Sequence, residues 1–174
     1  GIDGRPVKIL VRDTKGQETE TLNAAMELVD SEGCVALVGP SRSGSTMAIV
    51  DYVERSEVPL ISCAAARAIS DPVKKWVFQV PPGDADAVYR IYKYMNAEGI
   101  AKIAIITASS GYGAEGYKQL TEQAPEAGIE IVAEESFSDS DTDMTSQLTR
   151  IRGTDAEAVV CWGVGKAPAL LTKN

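Results

Sequence analysis

Gly39-Pro40-Ser41-Arg42-Ser43-Gly44-Ser45-Thr46 brings four hydroxyls together between two apolar stretches. Val35, Ala36, Leu37 and Val38 precede it as a short strand-like run, and apolar residues at helical spacing follow it. A strand, a small polar loop and a helix start, in that order, leave the free N–H groups of the helix N-terminus facing the loop. With Ser41, Ser43, Ser45 and Thr46 beside them, those groups suit an anion such as a carboxylate or a phosphate. The spacing nearly fits the phosphate loop G-x-x-x-x-G-K-[ST], but Ser45 stands where the phosphate-neutralising lysine belongs, which argues against a nucleoside triphosphate. A carboxylate-sized cradle survives, beside the plainer reading of a tight turn with a serine helix cap.

Gly111-Tyr112-Gly113-Ala114-Glu115-Gly116 matches G-x-G-x-x-G, follows an apolar run and has Glu134 and Glu135 about twenty residues on, as in a dinucleotide site. That fingerprint belongs to the first strand-to-helix turn of its domain, whereas this copy lies deep in the chain with a bulky Tyr112 where a pyrophosphate would approach. Tyr112 reads better as an amphipathic wall that packs a ligand and offers a hydroxyl. Residues 138–143 alternate serine or threonine with aspartate and suggest calcium, but the glycine and closing glutamate of a calcium loop are missing. A solvated loop with Asp141 or Asp143 capping the next helix is the simpler expectation. Trp76 is expected to plug the core of the first half; Trp162 ends a strand on the side where ligands bind, with core packing the plainer reading of it.

Composition narrows the chemistry. There is no histidine among the 174 residues, which removes His-based triads, the usual zinc and iron sites and the commonest general base. No metal and no cofactor are expected. Cys34, Cys63 and Cys161 have no C-x-x-C spacing and sit at the edges of apolar runs, so buried free thiols are expected. A net charge of −8 without a basic run argues against nucleic acid or an anionic membrane surface as partner. No apolar stretch approaches the roughly 18 residues of a membrane span, and the opening GIDGRPVK has no signal-peptide core; the chain as given reads as cytoplasmic, or else processed or trimmed.

The elements that must position these loops alternate. Strands are expected at 7–13, 35–38, 58–62 and 77–80, with helices at 20–31 and 46–56 between the first of them. Pro81-Pro82-Gly83-Asp84 is the strongest breaker and marks a boundary between lobes at 1–81 and 82–174. Beyond it come helices at 85–97, 114–124 and 144–152 and strands at 103–107, 130–134 and 158–162. Such alternation implies parallel sheets covered on both faces, with ligands at the carboxyl ends of the strands.

LVGPSRSGSTMAIVDYVERSEVPLISCAAARAI, IAIITASSGYGAEGYKQL and SDTDMTSQLTRIRGTDAEAVVCWG together resemble the branched-chain amino-acid (Leu/Ile/Val) substrate-binding proteins of bacterial ABC importers. The likeness runs through nearly the whole chain in order. It implies the type I periplasmic binding fold: two Rossmann-like α/β lobes, joined by three crossings, closing on a ligand between them. It also implies a non-enzyme that captures a branched-chain or related amino acid, or a similar small carboxylate, and presents it to a membrane permease from the periplasm. By position, Ser43 and the backbone of Ala64, Ala65 and Ala66 would hold the ligand's carboxylate and amine, and Tyr112 would close from the second lobe, with Trp162 nearby. Ala66 lacks the hydroxyl that the family often has there, and Val164-Gly165-Lys166 replace an aromatic after the late strand. The chain also resembles a fragment, with the first lobe and the C-terminal part incomplete, and an open sheet edge would invite pairing with a second copy. A ligand-sensing domain of a regulator with the same fold is the alternative; an enzyme with a nucleotide cofactor would need a general base that the chain does not offer.

Overall fold

The apolar run around Ile105 becomes the centre of a parallel sheet because both parities of the strand find cover. In the computed structural model, which describes all 174 residues, β4 (Lys102–Ala108) lies between β5 (Glu130–Phe137) and β6 (Ala158–Trp162). Side chains alternate across a strand, so Ile103 and Ile105 face one way and Ala104 and Ile106 the other. Ile103 and Ile105 pack with Val88, Tyr92, Leu120 and Ala124 from α3 (Asp84–Ala97) and α4 (Gly111–Ala127). Ala104 and Ile106 pack with Phe137, Met144, Ile151 and Leu171, where α5 (Thr145–Arg152) and α6 (Ala167–Leu171) close the opposite face. All four central residues are completely buried, which is what a strand covered on both faces requires.

The first sheet is parallel too, in the order β1 (Leu37–Val38), β2 (Leu60–Ser62), β3 (Val77–Gln79). Here only one face is covered. Leu37, Leu60 and Val77 pack beneath Ile49, Val50 and Val53 of α2 (Ser43–Ser56), against which α1 (Glu18–Met26) lies. Val38, Ile61 and Phe78 on the opposite face stay exposed, so the expectation of sheets covered on both faces holds for the second sheet and not for the first.

The strand expected at 7–13 is not one. Those residues form no backbone hydrogen bond to any strand, and a groove of about 590 Å³ separates them from β1. Alternating sequence alone cannot make a strand; the ladder needs a neighbour. The segment is held instead by Arg12, whose guanidinium meets Glu27 at 2.7 Å and Glu32 at 3.5 Å. Residues 20–31 are helical throughout, but the regular helix stops at Met26 and a π-helical turn, Glu27–Ser31, completes it.

Three smaller expectations are also corrected. Trp76 is only partly buried, its backbone N–H held by Glu54 at 2.6 Å and its ring 5.1 Å below Lys75 Nζ; Leu60, Ile69 and Val53 fill the first core without it. Cys63 is exposed, and Cys34 and Cys161 are half-buried, all three as free thiols. Both loop-borne helices begin three residues early, α2 at Ser43 and α4 at Gly111, so most of each expected loop is the first helical turn. No helix is long and apolar enough to cross a membrane.

Candidate functional site

The early starts of α2 and α4 create the site, because they bring two helix N-termini face to face. Gly44 and Gly111 make the approach possible: a Cβ on Gly111 would lie 3.0 Å from Gly44 Cα and 3.1 Å from its N. Each N-terminus carries unpaired N–H groups and a partial positive charge. Two such ends in contact disfavour each other unless an anion lies beside them; the Glu18 carboxylate stands against Gly44, and a cavity of about 270 Å³ opens there. Ser41, Ser43, Ser45, Ala65, Ser110 and Tyr112 are among its lining residues.

The hydroxyls divide into those already used and those left over. Ser43 Oγ, on a buried side chain, accepts the Ala66 N–H at 3.3 Å. Thr46 Oγ1 sits behind the cavity within 3.3 Å of Ser62 Oγ. Ser45 Oγ and Ser110 Oγ are buried and have no hydrogen-bond partner, although Ser45 is only 1% exposed. A buried hydroxyl without a partner is costly, so both are poised for a polar group placed in the cavity they line.

The three alanines after β2 do not contribute alike. Ala64 donates its N–H to Ser62 Oγ at 3.1 Å and accepts from Gln79 Nε2 at 3.0 Å, while Ala66 is tied to Ser43; both are buried behind the wall. Ala65 alone lines the cavity, and its N–H makes no hydrogen bond. Its carbonyl accepts the Asp84 N–H at 3.0 Å, which ties this loop to the start of α3 just beyond Pro81-Pro82-Gly83.

Tyr112 forms the facing wall from the first turn of α4. Its ring stacks on Trp162, centroids 5.6 Å apart, and burial followed by the nearby Asp84 carboxylate raises its hydroxyl above the usual tyrosine range. Trp162 does not line the cavity. It lies beneath Tyr112, buried, against Gly116, with Nε1 lacking a partner. Asp84 is nearly inaccessible, with Oδ2 unpartnered; desolvation, reinforced by Glu115, pushes its carboxyl up to about 6.

Glu18 and Arg42 are the charged residues of the lining, and neither was expected in a site. Arg42 Nη2 reaches Asp139 Oδ2 at 3.0 Å, joining the first half of the chain to the second. Only the fold places Glu18 here, since α1 must lie beside α2. Asp139 belongs to the 138–143 run, where Asp141 accepts the Ser138 N–H at 2.8 Å and Asp143 the Thr145 N–H at 2.9 Å, just before α5.

A cavity with helix N-termini and free hydroxyls on its walls, at the carboxyl ends of parallel strands, is built to hold a small polar molecule. Comparison with known families agrees, since the profile described as periplasmic binding protein matches residues 1–174. The chain belongs to that family. Its members and relatives are binding proteins and receptors. A Leu/Ile/Val-binding protein homolog of Brucella abortus is 25% identical over 171 residues, covering 92% of this chain and 42% of the relative. The structure of the branched-chain amino-acid transporter substrate-binding protein LivJ from Streptococcus pneumoniae, in complex with isoleucine, superposes with a TM-score of 0.87 at 29% identity, over 98% of this chain and 49% of the other. An ABC transporter solute-binding protein from Rhodopseudomonas palustris, in complex with benzoate, superposes at 0.86 and 20% identity, over 98% and 48%, a likeness of fold alone. The parallel sheets are thus those of the type I periplasmic binding fold, and the chain spans under half the length of these relatives.

Proposed function

We propose that this chain forms the cavity of a solute-binding protein that captures a branched-chain or related amino acid, or a similar small carboxylate, and passes it to an ABC permease from the periplasm. The observation that carries this reading is the pair of helix N-termini meeting at Gly44 and Gly111, with Ser45 Oγ and Ser110 Oγ unpartnered beside them. A carboxylate there would accept from the free N–H groups of α2 and α4 and from the two hydroxyls, and the Ala65 N–H would add a further donor. Tyr112 would cover the ligand's body, with Trp162 behind it holding the ring in place. Ser43 supports the Ala66 backbone instead of reaching the ligand itself.

In this reading residues 1–81 and 82–174 act as two lobes turning about the 80–83 crossing. The ligand contacts α2 on one lobe and α4 on the other, so it binds the closed arrangement better than the open one and shifts the population towards it. No bond is made or broken. Likeness to the Brucella and Streptococcus proteins supports the amino-acid class and the periplasmic setting.

The test is a thermal-shift titration of the chain with leucine, isoleucine, valine and 4-methylpentanoate. Binding to the folded state alone raises the melting temperature with ligand concentration. A melting temperature that stays flat for all four compounds up to saturating concentrations contradicts the reading.

A further inference from the structure

We infer that ligand capture is coupled to proton uptake by Asp84, a buried carboxyl at the junction of the two halves of the chain, so that an anion docking beside Ala65 and Tyr112 is held more tightly when Asp84 is neutral. The inference rests on the carboxylate-binding reading above and adds to it a control by pH.

Asp84 opens α3 immediately after Pro81-Pro82-Gly83, and its N–H donates to Ala65 O at 3.0 Å, from residues 82–174 back to residues 1–81. Ala65 lines the cavity. On its other side the Asp84 carboxylate lies close enough to Tyr112 to help raise that hydroxyl. Asp84 therefore stands behind two walls of the cavity without being a wall itself: it is 1% exposed and absent from the lining.

Nothing compensates the charge of this carboxyl. Oδ2 is buried without a hydrogen-bond partner. The Asp86 and Ala87 N–H groups in the first turn of α3 both donate to Gly83 O, at 3.1 and 3.3 Å, so the helix start is satisfied by backbone and leaves the side chain out. Two side-chain amides of α4 are spent as well, Gln119 Nε2 on Glu115 Oε1 at 3.0 Å and Gln123 Nε2 on Ala85 O at 3.1 Å. No ion pair includes Asp84. From α4 it meets Tyr112 and the half-buried Glu115, a like charge; from the loop after β2 comes Arg67, which is paired with Asp71 at 2.8 Å; and on α3 itself Asp86 is exposed. Desolvation, reinforced by Glu115, is what holds the carboxyl up at about 6.

A ligand carboxylate between α2 and α4 brings a further negative charge towards Asp84 and displaces water from the space beside it. Both effects favour the neutral acid. The bound chain then holds this proton more tightly than the free chain, so affinity is greatest below about pH 6, where Asp84 is already protonated. It falls as pH rises through that value and levels off once the bound form has also lost the proton. The carboxylate and ammonium of free leucine titrate well outside this range, which leaves the protein as the source of the dependence.

Isothermal titration with L-leucine tests this on the unmodified chain, Asp84→Asn and Glu115→Gln. At about pH 6.5, heats of binding compared in PIPES and in imidazole, whose ionisation heats differ, count the protons taken up. The unmodified chain should take up about 0.3–0.5 proton per leucine, and its affinity should fall about threefold to sixfold from pH 5.5 to 7.5. Asp84→Asn, neutral at every pH, should give the same heat in both buffers and an affinity flat with pH. Glu115→Gln keeps Asp84 titratable but removes the like charge beside it, and should move the fall in affinity to lower pH. Equal heats in the two buffers for the unmodified chain, uptake that persists in Asp84→Asn, or a fall left at the same pH in Glu115→Gln would overturn the coupling, with the cavity reading intact because leucine still binds. If the unmodified chain binds no leucine at any of these pH values, the carboxylate-binding reading itself fails, and this inference with it.

Discussion

Arg42 and Asp139 are 97 positions apart in the chain and meet at 3.0 Å, joining the loop before α2 to the loop after β5. The pair stands at the rim of the cavity, with Arg42 41% and Asp139 27% exposed at the side chain, so water and salt screen it substantially. Arg42→Ala and Asp139→Ala should therefore couple weakly: a double-mutant cycle by urea denaturation should give about 0.5–1 kcal/mol, declining with added salt. Zero coupling at low salt would mean that the contact does not hold the two halves together.

Tyr112 is the wall that reaches the cavity from the second sheet, stacked on Trp162. Replacing it with alanine removes an aromatic face and leaves Trp162 uncovered, which should cost about 2 kcal/mol of ligand affinity, whereas Tyr112→Phe should lose much less. Ser140→Ala, in the acidic loop outside the lining, should leave affinity unchanged. Calorimetry giving equal losses for Tyr112→Ala and Ser140→Ala would remove Tyr112 from the site.

Gly116 exists because Trp162 needs its space. A Cβ at that position would fall inside the indole ring, so Gly116→Ala forces the tryptophan out of its packed position and tilts the support of Tyr112. The expected destabilisation is about 1–3 kcal/mol, accompanied by a change in tryptophan emission. Trp162→Phe in the same background should recover part of the loss; no change in stability for Gly116→Ala would show that the ring is not fixed there.

Asp84 should make stability depend on pH in a direction opposite to that of most aspartates. Burial raises its folded-state carboxyl to about 6 from an ordinary 3.8, so the folded chain holds this proton more tightly than the unfolded one. The stabilisation from the bound proton is full below about pH 4 and is lost as pH rises through about 6. The full swing is on the order of 3 kcal/mol. Asp84→Asn, compared with the unmodified chain by denaturation at several pH values, should remove the decline between pH 4 and 6 and be the more stable of the two at neutral pH. An unchanged profile would contradict the burial of an unpaired carboxyl at the start of α3.

What the sequence reveals of this fold is what local pattern can encode. The run around Ile105 announces a doubly covered strand because both parities are apolar, and the helices beside it follow from their period. Residues 7–13 have an equally good alternating pattern and still form no strand, because pairing is a property of neighbours far away in the chain. The hydroxyl loop before α2 and the glycine-rich turn before α4 are legible as ligand-facing segments; that each is already helix, and that the two touch at Gly44 and Gly111, is not. Ala64, Ala65 and Ala66 look interchangeable in the sequence, yet hydrogen bonds to Ser62 and Ser43 and from Gln79 occupy two of them and leave one facing the cavity. Glu18 and Asp139 carry no local signal at all, since only the packing of α1 on α2 and of α2 against α4 brings them to the rim.

The central claim is that a carboxylate docks between the N-termini of α2 and α4, and amide NMR of the 174-residue chain titrated with L-leucine tests it most directly. Saturable shifts concentrated at Gly44, Ser45, Ala65, Gly111 and Tyr112, with the β2–β3 and β5 amides unmoved, are the predicted result. Saturable shifts elsewhere with those five amides unperturbed, or no shifts at saturating leucine and 4-methylpentanoate, would contradict it.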